Sequence, residues 1–372
     1  MFLLTPMDWP QDIPDGALPA QGVPKARGAG LNMAGRFERH RRAALDDGWD
    51  RPEDPDPART EIRTERARSV IARNTSPDIP FDRSLNPYRG CEHGCIYCYA
   101  RPGHAHLGLS PGLEFETRLI ARPDAARVLA AELRKPRYRP APLCLGSATD
   151  PYQPAEARLR ITRAVLETLA DFGHPVSVQT RGTLIERDLD ILGPMAALGL
   201  AQVGVSLTTL DAGLSRRLEP RAPAPARRLA TITALANAGV PVRVMVSPVI
   251  PGLTDAEVEP ILQAATDTGA RAASWALLRL PHEVAPLFLD WLDRHAPGRR
   301  DKVLNRLRDA HRGALYRAEF GHRTRGSGVM ADLLAQRFRA ATRRLGLDGG
   351  LPPLDCTRFA PPPRPGDQLS LF

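Results

Sequence analysis

Apolar and polar residues alternate regularly over the middle of this chain. Apolar runs that predict strands occur at 142–146, 176–180, 201–207, 240–247 and 272–278. Between several of them, apolar residues recur at the three- and four-residue spacing of a helix with one buried face, at 159–172, 186–198 and 227–238. Strands that alternate with amphipathic helices are typical of β/α units around a parallel sheet.

Two local signals mark helix ends in this region. Gly239 follows the helical pattern at 227–238 and predicts its C-terminal end. Thr254, with Glu257 three residues later, has the pattern of a capping box, which predicts that a further helix begins at Thr254.

The same patterning predicts how the chain is divided. One more strand near the cysteine-rich stretch at 86–101 brings the count to about six β/α units, which predicts an α/β fold with an incomplete (β/α)6 barrel. Beyond Pro281 the periodicity is helical. We therefore expect four parts, which are a flexible, mostly irregular N-terminal extension at 1–57, the barrel at 58–280, a basic helical extension at 281–350 and a Pro-rich tail at 351–372.

Composition sets broad limits. With 372 residues, 42% of them hydrophobic, the chain can bury a full core and is best interpreted as one large domain with extensions. No apolar run reaches the roughly 18 residues that a membrane span requires, and the first ten residues lack the pattern of a secretory signal. We expect a cytoplasmic protein with no membrane segment and with reduced thiols.

The net charge of +9 favours a nucleic-acid partner, but its composition weakens that argument. Only Lys25, Lys135 and Lys302 are lysines, and an excess of arginine with much Ala, Pro and Gly is also the coding bias of a GC-rich genome. The distribution is more informative, because basic residues far outnumber acidic ones over 299–325. This stretch is either a solvated helical face or a phosphate-binding surface, with DNA as the candidate partner.

The strongest chemical signal is a loop with three cysteines, which we call the cysteine loop (86–101). Cys91, Cys95 and Cys98 have C-x3-C-x2-C spacing, and two glycines allow the backbone to turn tightly around a bound metal. A structural zinc needs four ligands, and the chain has no second ligand pair, while His93 lies too close in the same loop to complete a tetrahedron without strain. A 4Fe-4S cluster accepts three cysteines and leaves one iron open for a substrate.

The cysteine loop resembles that of the radical S-adenosylmethionine (SAM) superfamily, including the aromatic Tyr99 after the third cysteine. In these enzymes the open iron chelates SAM, and reduction cleaves SAM to a 5'-deoxyadenosyl radical. The likeness is closer to the spore photoproduct lyase and "DNA repair photolyase"-like branch, because Tyr97 and Tyr99 flank Cys98, and it covers 82–280. The resemblance implies a partial TIM-like barrel, a 4Fe-4S cluster and SAM as cofactors, and a reductase or flavodoxin as electron donor.

Polar residues follow most of the predicted strands, where the loops of a β/α barrel converge on one mouth. By the resemblance, Thr149 and Asp150, Arg181 and Ser206 occupy positions that contact SAM, as does Tyr99. Arginine stands where the branch has lysine, and the Gly-Gly-Glu motif that many members use for the SAM amino group is absent. Ordinary hydrogen-bonded turns are the alternative explanation. The full set of strand-end residues is Ser147, Thr149, Asp150, Thr180, Arg181, Ser206, Thr208, Thr209 and Ser247.

The resemblance also suggests catalytic residues. In spore photoproduct lyases a cysteine just before the aspartate donates hydrogen to the substrate radical, together with tyrosines near the cluster. Here Ser147 has that offset from Asp150 and Cys144 lies three residues earlier, so the candidates are Cys144, Tyr97 and Tyr99. Cys144 is alternatively a small apolar residue of a buried strand, and Cys356 is interpreted as a lone thiol.

The chain ends with Gln368-Leu369-Ser370-Leu371-Phe372 after a Pro-rich spacer. This pentapeptide resembles the bacterial sliding-clamp binding motif, in which Gln368, Leu369, Leu371 and Phe372 would bind a clamp pocket. The alternative is an apolar terminus that packs on its own domain.

Taken together, the residues and the resemblance predict a radical SAM enzyme that abstracts hydrogen from an unidentified substrate, with a DNA lesion as the first candidate. A second hypothesis keeps the chemistry and replaces the substrate by a protein, a tRNA or a metabolite. A third is a non-catalytic iron-sulfur protein that associates with DNA or with the clamp.

Overall fold

A computed structural model describes residues 26–38 and 59–363. Its strands are short, as expected where helices connect them. They are β1 (Glu61–Thr64), β2 (Ala72–Arg73), β3 (Arg83–Leu85), β4 (Tyr88–Arg89), β5 (Arg118–Ala121), β6 (Leu143–Leu145), β7 (Val176–Thr180), β8 (Ala201–Ser206), β9 (Val242–Val249) and β10 (Ala272–Leu277).

The main sheet has seven strands in the order β10-β9-β8-β7-β6-β3-β2. All neighbours from β3 to β10 are parallel, and β2 is antiparallel to β3. The six parallel strands are the six units expected from the sequence, with β3 as the strand just before the cysteine loop. The predicted α/β fold with a partial (β/α)6 barrel is therefore confirmed.

Helices connect these strands and cover the outside of the sheet. They are α1 (Glu114–Thr117), α2 (Ala125–Leu133), α3 (Glu156–Leu159), α4 (Ile161–Asp171), α5 (Leu189–Ala197), α6 (Ala212–Leu218), α7 (Pro225–Asn237), α8 (Val258–Asp267), α9 (Val284–His295), α10 (Arg300–Ala310) and α11 (Val329–Leu345).

Strand alternation separates a core-facing side from a polar side of the sheet. On β7, Val176 and Val178 are fully buried in the hydrophobic core that the helices cover. Successive strand residues point to opposite faces, so Ser177 and Gln179 face the barrel interior. In register with Ser177, β6 contributes Cys144. The interior is therefore lined by small and polar side chains.

The helical extension encloses the cysteine loop from outside. A second apolar cluster joins Ile96 and Tyr97 of the loop to Phe288 and Trp291 of α9 and to residues of α10. The indole nitrogen of Trp291 donates to the carbonyl of Arg217 at 2.9 Å. The loop is thus held between the barrel and the extension.

Part of the N-terminal extension packs on the barrel. Ala29, Leu31 and Met33 are buried in the same apolar cluster, and the backbone amides of Gly28 and Ala29 each donate to Glu116 at 2.9 Å. The Cβ of any other residue at position 28 would lie 1.9 Å from the carbonyl oxygen of Gly94. These residues therefore lie directly on the backbone of the cysteine loop.

One local prediction is confirmed only in part, because a helical segment follows Thr254 without the capping box. The helix predicted to begin at Thr254 starts at Val258 after a 3-10 turn, and Thr254 makes no capping bond. Its hydroxyl accepts from the amide of Ile250, while Glu257 accepts from the Thr209 hydroxyl. Both partners of the expected capping box have other hydrogen bonds.

The small sheet β1-β5-β4 was not expected from the sequence, because its strands are too short to show alternation. Within the described part of the chain, no helix has the length and apolar character needed to cross a bilayer.

Candidate active site

The cysteine loop is shaped by tight turns and by a buried arginine. Gly90 and Gly94 have φ values of 78° and 68°, which favour glycine. Arg101, fully buried, donates to the carbonyls of Gly94 and Cys95 and pairs with Glu116 at 2.6 Å. One charged side chain therefore holds the loop backbone at Cys95.

The three predicted cluster ligands are free thiols on the same loop. Cys91 and Cys95 are buried, and Cys98 is partly exposed. Burial raises the pKa of Cys91 well above its ordinary value and raises the pKa of Cys95 to about 12, and the Cys91 thiol also interacts electrostatically with the other two. These thiols ionise only when a cation compensates the charge.

The donor set fits an iron-sulfur cluster. Among residues 26–38 and 59–363, no three His, Cys, Asp or Glu side chains converge as they would around a single metal ion. The loop instead offers three separate thiols, and Arg181 supplies a positive charge to one of them, with Nη1 3.1 Å from Cys95 Sγ. Three thiolates and a charge-compensating donor are a suitable environment for a cluster that leaves one iron free.

His93, the other possible ligand in the loop, lies beside Asp150. It is 2% exposed, and its Nδ1 lies 3.4 Å from Asp150 Oδ2. The two side chains are close without an aligned hydrogen bond, since His93 Nδ1 has no hydrogen-bond partner among the described residues.

Asp150 follows β6 and ties the cysteine loop to β7. Its carboxylate accepts from the Thr180 hydroxyl at 2.6 Å and from the Arg181 amide at 2.8 Å. Burial opposes ionisation, but His93 and these hydrogen bonds lower the pKa of Asp150 to about 2. The carboxylate is therefore ionised, and its contacts in the structure are within the protein. Its predicted contact with SAM stays a prediction.

The other predicted SAM residues also lie at the carboxyl ends of the strands. Thr149 is 5% exposed and donates to the carbonyl of Tyr88 at 2.8 Å. Ser206 ends β8 and is 6% exposed, with its carbonyl accepting from Arg228. Arg181 follows β7. Apart from Ser247, which lies within β9, the strand-end residues follow or end their strands as expected.

Arg181 is held by a buried charged network that the sequence did not predict. Its Nη1 donates to Tyr97 Oη and to Glu219 Oε1, both at 2.8 Å. Glu219 also accepts from Tyr97 and from Arg228. Burial alone would raise the pKa of Glu219, but Arg228 and Arg181 lower it to about 2. Tyr97, Arg181, Glu219 and Arg228 form what we call the Glu219 network.

Tyr99 lies on the opposite, open side of Cys98. Its side chain is 47% exposed, its hydroxyl donates to the carbonyl of Ser147, and the guanidinium of Arg279 lies 4.2 Å from its ring centroid. Cys144 lies beneath, fully buried on β6, within electrostatic range of the Tyr99 hydroxyl. Burial raises the pKa of Cys144 to about 12, which keeps this residue a neutral thiol with its S–H bond intact.

Sequence reasoning missed Glu219, Arg228 and Arg279. Arg279 follows β10, so it has the same strand-end position as the residues named in the sequence analysis. That position is a signal by which the sequence could have identified it. Glu219 lies just after α6, between a helix and a loop, where no barrel rule places a site residue.

Comparisons with known proteins agree with this architecture. The family model of the Radical SAM superfamily matches residues 85–265. An uncharacterised protein of Mycobacterium tuberculosis, Rv2578c, is 38% identical over 240 residues, which are 64% of this chain and 69% of that protein. An uncharacterised protein of Methanocaldococcus jannaschii, MJ0683, is 26% identical over 173 residues, which are 46% of this chain and 62% of that protein.

Two solved structures of spore photoproduct lyase share the fold. The lyase complexed with dinucleoside spore photoproduct has a TM-score of 0.52 at 13% identity, and covers 76% of this chain and 79% of that one. A variant with bound AdoMet and dinucleoside spore photoproduct has a TM-score of 0.53 at 13% identity, with the same coverage. Membership of the matched family implies a 4Fe-4S cluster and SAM as cofactors. The family match and the identity to the Mycobacterium tuberculosis protein show that the chain belongs to the radical SAM superfamily and is an enzyme.

Proposed function

We propose that this enzyme abstracts hydrogen from a damaged base in DNA. Cys91, Cys95 and Cys98 would hold a 4Fe-4S cluster, and the barrel mouth beside it would hold SAM. When bound and reduced, the cluster supplies the electron that cleaves SAM to methionine and the 5'-deoxyadenosyl radical. The observation that carries the proposal is the position of the cysteine loop at the carboxyl ends of the strands. There Arg181, just after β7, donates to Cys95, and the Tyr99 hydroxyl donates to Ser147, just after β6.

The residues around this mouth would have two roles, which are binding SAM and returning a hydrogen atom to the substrate radical. Arg181 has further N–H groups besides Nη1, and these are suited to the carboxylate of SAM. Cys144 retains a neutral S–H and lies close to the half-exposed Tyr99. Such a pair can return a hydrogen atom to a substrate radical, Cys144 through its S–H bond and Tyr99 through its O–H bond.

A DNA substrate is supported by charge and by structural likeness. The chain carries a net charge of +9, and the guanidinium of Arg279 at the mouth lies over the Tyr99 ring. Spore photoproduct lyase, which shares the fold, has been solved with a dinucleoside spore photoproduct. An exposed aromatic ring beside an arginine suits a base and its phosphate.

Anaerobic reconstitution tests the proposal. The purified chain would be loaded with iron and sulfide and incubated with SAM and dithionite. The cleavage product 5'-deoxyadenosine, called deoxyadenosine below, would be measured with and without ultraviolet-irradiated DNA. We expect deoxyadenosine above background and stimulation by irradiated DNA relative to intact DNA. Absence of deoxyadenosine contradicts the SAM chemistry. Stimulation by tRNA, protein or small metabolites, with indifference to DNA, contradicts the substrate and supports the second hypothesis.

We also propose that Gln368, Leu369, Leu371 and Phe372 bind the bacterial sliding clamp. These residues lie outside the described part of the chain, so the support is the motif and the spacer alone. A pull-down with purified clamp would compare the full chain with one that ends at residue 367. Equal binding by both would contradict this proposal.

A further inference from the structure

Nη1 of Arg181 meets three acceptors at once. It lies 3.1 Å from Cys95 Sγ, 2.8 Å from Tyr97 Oη and 2.8 Å from Glu219 Oε1. The sulfur belongs to a predicted cluster ligand, and the two oxygens are buried with it. One nitrogen of this arginine is therefore directed at the cluster and is not available to SAM.

The guanidinium is anchored on both sides. The backbone amide of Arg181 donates to Asp150 at 2.8 Å, which fixes the base of the side chain. Glu219, whose side chain is 1% exposed, holds the tip. The second oxygen of Glu219 accepts from Arg228, which is itself 1% exposed and donates to the carbonyls of Pro223 and Ser206. Rotation of Arg181 away from Cys95 would leave a buried carboxylate with one partner fewer.

The network also has a net charge. Two arginines and one glutamate give one positive charge beside Cys95. Burial raises the pKa of the Cys95 thiol and the Glu219 charge adds to that effect, while Arg181 and Arg228 oppose it. A hydrogen bond to a cluster sulfur and a nearby positive charge both stabilise the more negative, reduced cluster.

We propose that Glu219 is a positioning residue that holds Arg181 as a hydrogen-bond donor to the Cys95 sulfur, so that Arg181 raises the reduction potential of the cluster. The inference rests on the proposed cluster ligation. It assigns Arg181 a role that needs neither SAM nor substrate, and SAM binding through its remaining N–H groups is a separate property.

The first experiment measures the cluster potential without SAM. The reconstituted Arg181→Met and Arg181→Lys variants would be titrated with dithionite, with the reduced cluster followed by electron paramagnetic resonance. Arg181→Met loses both the donor and the charge, so we expect its midpoint potential to shift to more negative values. Arg181→Lys keeps the charge with a compact head group and should shift less.

The chain offers a matched control for this arginine. Arg163 on α4 is also 18% exposed and is paired with a buried aspartate, Asp188, and with Asp190, but it contacts no residue of the cysteine loop. Arg163→Met should leave the midpoint potential unchanged. A potential that stays constant in Arg181→Met, or that shifts equally in Arg163→Met, would overturn the proposal.

The second experiment tests Glu219 itself. Proton electron-nuclear double resonance in H2O and D2O detects exchangeable protons coupled to the reduced cluster. We expect Arg181→Met to lose one such coupling and Glu219→Gln to weaken it, because the neutral amide holds Arg181 less firmly. Asp188→Asn, which neutralises a comparable buried carboxylate, should retain it. An unchanged coupling in Glu219→Gln would refute the positioning role.

These readouts are separate from the proposed reaction. A shifted potential without deoxyadenosine production would leave the inference standing and reject the SAM chemistry. Deoxyadenosine production with an unshifted midpoint potential in Arg181→Met would support the SAM chemistry and reject the inference about Arg181.

Discussion

Two tyrosines on either side of Cys98 have opposite environments. Tyr97 is 5% exposed, and its hydroxyl is fixed among Arg181, Glu219 and Thr208. Tyr99 is 47% exposed and lies at the barrel mouth near Cys144. Both were predicted to be catalytic from their positions in the sequence, and those roles stay predictions. Their surroundings favour a structural role for Tyr97 and a chemical one for Tyr99.

The difference has a simple physical origin. Burial raises the pKa of Tyr97 well above its ordinary value, and Glu219 beside it is kept ionised by two arginines. A carboxylate with a pKa of about 2 accepts a hydrogen bond but is a poor acceptor of the phenol proton, so the structure offers Tyr97 little help in losing a hydrogen atom. Burial raises the pKa of Tyr99 as well, but its ring is partly exposed, and its hydroxyl donates to a backbone carbonyl instead of a carboxylate.

The largest expected effect concerns the cysteine between the two tyrosines. Cys98→Ala removes one of three thiolates, so we expect loss of bound iron and at least a 100-fold loss of deoxyadenosine formation. Iron analysis after anaerobic reconstitution measures the first and chromatography the second. Cys356→Ala is the matched control and should keep both. Full iron content in Cys98→Ala would remove this cysteine from the ligand set.

The next effect separates the tyrosines directly. Tyr99→Phe should lower product formation on damaged DNA by about 10-fold or more while deoxyadenosine formation continues, because a step after SAM cleavage is impaired. Tyr97→Phe should act on stability by about 1–3 kcal/mol, since its hydroxyl is buried and bonded. Product yield per deoxyadenosine and thermal unfolding distinguish them. The comparison fails if the two variants exchange these phenotypes.

A smaller effect concerns the loss of folding stability at low pH. The folded pKa values of Asp150 and Glu219, about 2 each, lie below the ordinary values of 3.8 and 4.5. The unfolded chain therefore binds protons more readily, so the stability from these groups is present above about pH 4.5 and is lost as the pH falls toward 2. The loss amounts to a few kcal/mol. Thermal unfolding between pH 7 and pH 3 measures this loss. In Glu219→Gln, the unfolding temperature should fall less steeply as the pH is lowered. An equal slope in this variant would contradict the assignment.

The smallest expected effect concerns Arg279, beside the partly exposed ring of Tyr99 at the barrel mouth. Arg279→Ala removes a cation that stacks on Tyr99, which contributes about 0.5–1 kcal/mol at an exposed site. We expect little change in thermal stability and a severalfold weaker affinity for DNA, measured by fluorescence anisotropy at fixed salt. Arg127→Ala, at an exposed arginine of α2, is the control. Identical affinities in the two variants would exclude Arg279 from substrate binding.

Much of the fold could be predicted because the signals are local. The run Val176–Thr180 alternates strictly and is a strand with those bounds. The spacing of three cysteines in the cysteine loop was enough to indicate the superfamily, which the family model matches. The small sheet could not be predicted, since β4 has two residues. The capping box failed because Glu257 bonds with the Thr209 region, a contact that spacing along the chain does not reveal.

The site was predictable where it follows strand ends and unpredictable where it depends on distant pairs. Thr180 and Arg181 come directly at the end of an apolar run. Glu219 meets Tyr97 across 122 positions and Arg181 across 38. A glutamate in a helix-to-loop segment looks like any surface residue in the sequence, and only the folded chain shows that it is buried between two arginines.

The contact of Gly28 with Gly94 has a practical consequence for preparing this enzyme. Because the first described residues rest on the backbone of the cysteine loop, shortened expression clones that begin after Met33 would uncover that backbone. Such preparations, once loaded with a cluster, should lose its visible absorbance in air faster than the 372-residue chain, since oxygen would gain access from a side that these residues cover.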